Sequence, residues 1–201
     1  MDISVEKIKE LRELTGAGVL DAKKALEAAD GDFKKATEAL RKKGLARAEK
    51  RSEREASEGV VEVYAHPGNR VGVMLELNCE TDFVALNEEF QELAHDLALH
   101  VAAMSPKYVS REDVPEDVLE DQVAAMRAQA EAEGKPADIV DKIVQGRLNK
   151  YYAETVFLEQ PFVKDDDIVV DELIKNAISK MGENIILRRF VRYELGDTLD
   201  E

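Results

Sequence analysis

The sequence predicts an α+β protein: a three-helix bundle, then a small three-stranded antiparallel sheet packed with helices. Three observations carry that expectation. Apolar residues recur at three- and four-residue steps in three short stretches before residue 44, each ended by a glycine-bearing turn. Two runs alternate strictly, Val61-Val63-Ala65 and Val71-Val73-Leu75-Leu77-Cys79, about His66-Pro-Gly-Asn-Arg70. Directly after Cys79 the period changes from two to 3.6, as Phe90, Leu93, Ala94, Leu97, Val101 and Met104 fall on one helical stripe.

Taken in order, residues 4–14 read as a helix with Val5, Ile8, Leu11 and Leu14 leaning one way. Thr15-Gly-Ala-Gly18 breaks it. A second helix from Val19 to about Ala29 buries Ala22, Ala25, Leu26 and Ala29, and one of Val19 and Leu20 should face outward. Asp32 can cap a third helix carrying Phe33, Ala36 and Leu40, with Gly44 placed as its stop. Residues 1–44 therefore read as a bundle domain, 45–58 as a charged linker, and 59–201 as the sheet-bearing core. The linker's four acids interleave four bases, which suits a solvated helix better than a nucleic-acid arm.

In the core, a hairpin is followed by a helix from about Asn87 to Met104 and by a helical insert at about 105–154, Pro115–Glu133 and Pro136–Glu154 parted by Gly134. Pro161–Asp167 reads as a loop, Val170–Met181 as a helix ending at Gly182, and Asn184–Leu195 as a last strand whose alternation Arg188, Arg189 and Arg192 interrupt. At the strand-to-helix corner, Thr81, Asp82 or Asn87 can cap the new helix. Phe83 admits two readings there: a ring buried beside a cap, or a wedge offered with Asp82 to a partner.

The formal net charge is −15, with 14 basic against 12 acidic residues up to residue 57 and 14 against 31 beyond it. So acidic a body disfavours direct nucleic-acid binding and favours a basic patch on another protein. No apolar run is long enough for a membrane span, and Met-Asp-Ile-Ser-Val-Glu lacks a signal peptide's hydrophobic region. With a single cysteine, Cys79, the expectation is a cytoplasmic protein without disulfides. Phosphate-cradling glycine motifs are missing, the three histidines lack zinc spacing, and Asp165-Asp166-Asp167 suits an acidic turn. Neither a catalytic residue, a metal site nor a cofactor is expected, so the protein is not read as an enzyme.

Three stretches together resemble one family, elongation factor Ts: Leu14-Thr-Gly-Ala-Gly-Val-Leu-Asp-Ala-Lys-Lys-Ala-Leu26, Asn78-Cys-Glu-Thr-Asp-Phe-Val-Ala85 and Gly182-Glu-Asn-Ile-Ile-Leu-Arg-Arg-Phe190. The resemblance covers nearly the whole chain and keeps the motifs in order. It implies a guanine-nucleotide exchange factor that releases GDP from elongation factor Tu during translation. It also implies that the bundle is similar to ubiquitin-associated domains and docks on the GTPase through Val19 and Leu20, where the family often has two methionines. Thr81, Asp82, Phe83 and Val84 match the signature that disturbs the partner's Mg²⁺ site. The chain resembles the short members, which are expected to pair as homodimers in a two-fold complex, with a seam on Asn184–Leu195. The rival reading is an acidic adaptor lacking exchange activity, which has no use for an exposed ring at position 83.

Overall fold

The computed structural model describes residues 3–197; the outer ends of the expected domains, residues 1–2 and 198–201, lie outside the described residues. It is a mixed helix-and-sheet fold. Helices α1 (Val5–Thr15), α2 (Val19–Ala28) and α3 (Phe33–Glu49) come first. Strands β1 (Glu58–Ala65) and β2 (Val71–Cys79) form the hairpin, followed by a short α4 (Asp82–Ala85) and a long α5 (Glu88–Met104). Helices α6 (Glu116–Ala132) and α7 (Ala137–Thr155) follow. Strands β3 (Pro161–Phe162) and β4 (Asp165–Val169), helix α8 (Val170–Met181) and strand β5 (Ile186–Glu194) complete the order. The main sheet is small, with strand order β1-β2-β5.

The chain divides into two compact units. The first comprises the chain up to Val61 with Glu76–Ala94 and Glu172–Leu187. The second comprises Glu62–Leu75, His95–Asp171 and the chain from Arg188 onward.

In the first unit the bundle closes over Leu11, Ala22, Leu26, Ala36 and Leu40, with Ile3, Ile8 and Phe33 packed against them. Fully buried leucines of this kind contribute about 1.5–3 kcal/mol each. The hydroxyl of Ser4 caps α1 by accepting from the Lys7 amide at 3.3 Å, and the Asp32 carboxylate caps α3 by accepting from Lys35 at 3.1 Å. Val5 and Leu14, expected on the inner stripe, are instead exposed, because α1 buries only the Leu11 side of its surface.

Gly44 is the second departure. It does not stop α3, which runs on to Glu49. A Cβ at Gly44 would meet Ser179 Oγ at 2.8 Å, so the missing side chain lets α3 approach α8 closely. The charged stretch is also anchored: Ala48 and Ala56 are buried, and the Arg51 guanidinium donates to the Ile178 carbonyl at 3.2 Å. Arg41 pairs with Glu172 at 2.7 Å.

In the second unit α6 and α7 form a helical hairpin about Gly134, with Ala130, Val140 and Val144 buried and Val123, Met126 and Ile143 packed around them. A separate cluster buries Val114, Tyr152 and Val156, and the Arg111 guanidinium lies 4.3 Å from the Tyr152 ring centre while pairing with Glu159. Met104, placed on the buried stripe of α5 by periodicity, is 39% exposed at that helix's end.

Pro161–Asp167 is not a plain loop. Pro161 pairs with Val169 and Phe162 with Asp165 in an antiparallel two-stranded sheet. Proline tolerates this as the first residue of an edge strand, where no amide is needed. The three aspartates stay exposed while Phe162 and Ile168 turn inward. Phe162 stacks on His100, a fully buried histidine that Phe157 meets edge-on. The Val163 amide donates to His100 Nδ1 at 3.1 Å, so the ring proton sits on Nε2 and is donated to Gln160 Oε1 at 3.0 Å. Burial holds the His100 pKa below its ordinary value, against an opposing contribution from Gln160.

One of the arginines that interrupt β5, Arg192, finds a reason. Phe190 faces Phe157, and two residues on, Arg192 donates to the Ala102 carbonyl at 3.3 Å while pairing with Glu194 and Asp197. A guanidinium near the carbonyl end of α5 is electrostatically favourable.

Candidate partner-binding site

Two places in the first unit present apolar side chains that a core should have covered. The first is the corner after β2. The buried face of that strand, Val73, Leu75, Leu77 and Cys79, ends at Glu80, and the chain turns into α4. Thr81 is extended at φ −131° and ψ 156°, and its hydroxyl oxygen accepts from the Val84 amide at 3.4 Å, so Thr81 is the cap. Asn87 caps the next helix in turn, its side-chain oxygen accepting from the Glu89 amide at 2.8 Å. Asp82 therefore caps neither helix.

Within α4 the faces divide sharply. Ala85 is buried and Val84 half-buried, whereas Asp82, Phe83 and Leu86 are exposed. The Phe83 ring is 83% exposed, which excludes the reading of a ring held in the core. Leu86, three residues on and 74% exposed, shares that outer face. Nothing in its sequence position, one step before Asn87, marks Leu86 as outward-facing. The two form an apolar prong with a carboxylate beside it, on a helix too short to hold its own direction.

Contacts from the loop after α8 supply that direction. Gly182, at φ 84°, ends the helix in the left-handed region and turns the chain back. Glu183 then places one carboxylate oxygen against the amides of Glu80 (3.1 Å) and Thr81 (3.0 Å), and the other against the Thr81 hydroxyl (2.6 Å). Conversely, the Glu80 carboxylate accepts from the Asn184 amide at 2.7 Å and meets Arg54 at 3.4 Å. The buried Asn184 side chain donates to the carbonyls of Ser52 (3.3 Å) and Arg54 (2.7 Å). No buried side-chain polar atom among the described residues lacks a partner.

Cys79 lies just behind the corner. It is buried, its thiol donates to the Thr81 carbonyl at 3.1 Å, and desolvation with the nearby Glu183 charge pushes its pKa up to about 11. Such a thiol is a packing group rather than a nucleophile. Among the described residues no group of His, Cys, Asp and Glu is arranged to hold a metal ion, and no helix is long and apolar enough to cross a membrane.

The second place is the start of α2. The Thr15 hydroxyl donates to the Leu11 carbonyl at 2.6 Å and accepts from the Ala17 amide at 3.4 Å, while Gly16 takes φ 65°. A Cβ at Gly16 would meet Lys180 Cγ at 2.7 Å. Gly18 then caps α2 with extended backbone. The next two residues both face solvent, Val19 at 56% and Leu20 at 69%, where the sequence required only one of them to do so. Asp21 anchors this turn to α3 through Lys43 at 2.7 Å and Arg47 at 2.9 Å, and these two cations hold its carboxyl below the usual range.

Comparison with known proteins meets this geometry. The sequence matches the family described as elongation factor Ts over residues 3–197. A protein named elongation factor Ts from Carboxydothermus hydrogenoformans is 56% identical over 197 residues, covering 98% of this chain and 91% of that one. Another from Moorella thermoacetica is 57% identical, covering 97% of this chain and 96% of its own length. A third, from Herpetosiphon aurantiacus, is 55% identical and is covered over 99% of its length. The match spans both apolar sites and the Glu183 loop, and the chain belongs to the elongation factor Ts family.

Proposed function

We propose that this protein is the guanine-nucleotide exchange factor of elongation factor Tu, releasing GDP so that GTP enters during translation elongation in the cytoplasm. One observation supports the reading most strongly: in a chain of this family, Phe83 stands 83% exposed beside Asp82 at a braced corner. A monomeric fold gains nothing from so large a ring in water. Seated between elements of a GTPase, the same ring gains several kcal/mol, as buried aromatic anchors do.

The chemistry asked of the chain is binding alone. Mg²⁺ joins the diphosphate to the GTPase and supplies much of the nucleotide's hold. Thr81, Asp82, Phe83 and Val84 favour the arrangement in which the metal's ligands have moved away, so the nucleotide loosens. Each ~1.4 kcal/mol by which they prefer the nucleotide-free partner weakens nucleotide binding about tenfold, and the coupling is reciprocal. The bundle of residues 1–44, read as ubiquitin-associated-like, docks through Val19 and Leu20. No residue of the chain makes or breaks a covalent bond in this scheme, and no cofactor takes part.

A homodimer completes the proposal. Val63, Met74, Val191 and Tyr193 are exposed on the sheet face turned away from Tyr64, Phe190 and Arg192. An apolar sheet face of this kind suits isologous pairing with a second copy, giving a two-fold complex with two GTPases. The test of the function is release of fluorescent GDP from elongation factor Tu. Substoichiometric amounts of the protein should accelerate it many-fold, and an unchanged rate refutes the reading.

A further inference from the structure

We propose that Glu183 is a positioning residue for exchange: its carboxylate, reaching across from the loop after α8, sets the direction in which Phe83 points. This rests on the exchange reading above and concerns the same site.

The geometry is a relay. A threonine hydroxyl has one proton and two lone pairs. The Thr81 hydroxyl donates to Glu183 Oε1 at 2.6 Å, which turns a hydroxyl lone pair toward the Val84 amide at 3.4 Å. That contact caps the helix whose second residue is Phe83. At the same time Glu183 Oε2 holds the two amides that enter the turn, Glu80 at 3.1 Å and Thr81 at 3.0 Å. One carboxylate thus fixes three consecutive donors immediately before Asp82. The Glu80 side chain answers by accepting from the Asn184 amide at 2.7 Å, so each strand end holds the other. Four residues of helix cannot maintain an orientation alone, and the exposed Phe83 ring makes little contact of its own. The brace is what makes the wedge rigid before docking. Pre-ordering of this kind removes a cost from the bound, nucleotide-free state.

The test uses the full-length protein with elongation factor Tu and fluorescent GDP, reading both the maximal release rate at saturation and the half-saturating concentration. For Glu183→Ala, the loss of charge-assisted hydrogen bonds predicts a maximal rate lower by about tenfold. Half-saturation should move less than about twofold, since Val19 and Leu20 still dock. Glu183→Gln, which keeps the shape and one acceptor, should lose about threefold. In a Phe83→Ala background the further effect of Glu183→Ala should shrink below about twofold, because the ring being positioned is gone.

A purely structural role predicts otherwise: equal losses with and without Phe83, tracking the drop in melting temperature. That result overturns the proposal, as does a wild-type maximal rate for Glu183→Ala. Should Glu183→Ala fail to fold, the same comparison is made with Glu183→Gln, whose loss must also vanish with Phe83. If the wild-type protein does not accelerate release, the exchange reading itself has failed. If it does, and only the Glu183 variants match it, the positioning role alone is wrong.

Discussion

Replacing Phe83 by alanine separates function from stability more cleanly than any other single change. The ring is 83% exposed, so only about one-sixth of its surface is covered. With about 200 Å² for the whole side chain, truncation returns some 30–40 Å² to water. At about 25 cal/mol per Å² this costs near 1 kcal/mol, and the better helix propensity of alanine recovers about half of it. The melting temperature should therefore move by no more than about 2 °C. Phe90 provides the internal control, since it is fully buried seven residues away and its truncation should cost about 3–5 kcal/mol. Exchange should respond in the opposite order of cleanness. An aromatic anchor worth about 2–4 kcal/mol in the nucleotide-free complex predicts a roughly 30- to 1000-fold slower stimulated GDP release for Phe83→Ala. Calorimetric melting and stopped-flow release on the same preparations decide the matter. A Phe83→Ala protein that melts as low as Phe90→Ala, or that exchanges at the wild-type rate, refutes the reasoning.

Three further predictions follow from other parts of the molecule. Replacing both Val19 and Leu20 by serine should leave the melting temperature within about 2 °C, since both are exposed, yet weaken binding to elongation factor Tu at least about tenfold by titration calorimetry. Gly16→Ala forces a side chain into the left-handed region and against Lys180, so chemical denaturation should show a loss of about 1 kcal/mol or more. The third concerns His100, whose folded pKa is held below its ordinary 6.5 by burial. The unfolded chain takes up the proton first, so this group's stabilisation is complete above about pH 6.5 and declines as pH falls toward the folded value, by at most about 1.4 kcal/mol per pH unit. His100→Gln should lower stability overall but flatten that part of the profile.

Periodicity carried most of the fold. The first three helices, the hairpin and α5 lie close to where the spacing of apolar residues puts them, whereas α6, α7 and α8 lie where prolines and glycines bound them. What spacing could not show were contacts between distant parts of the chain. Gly44 looks like a helix stop until α8 is seen 2.8 Å from where its side chain would be. Asp165–Asp167 look like a loop because exposed edge strands need no apolar alternation. At the corner, residue types announced a cap and a ring, and Thr81 and Phe83 took those parts. Glu183 gave no such signal, since a lone acid after a glycine says nothing of which amides it will meet. Its neighbourhood entered only through the resemblance of Gly182–Phe190 to the family. Leu86 was lost in the other direction, as one more apolar residue at the foot of an apolar helix.

The claim that the Asp82–Phe83 pair acts through the partner's Mg²⁺ is tested most directly by removing the metal. GDP release from elongation factor Tu is measured for the wild-type protein and for a variant with both Asp82→Ala and Phe83→Ala, in Mg²⁺ and again in excess EDTA. With Mg²⁺ present the wild type should be faster by about two orders of magnitude, the product of one strong aromatic anchor. With the metal stripped, release should be fast in both and the gap should close to within a few-fold. A gap that stays equally wide without Mg²⁺ means that the pair works on the base or the phosphate loop instead, and contradicts this mechanism.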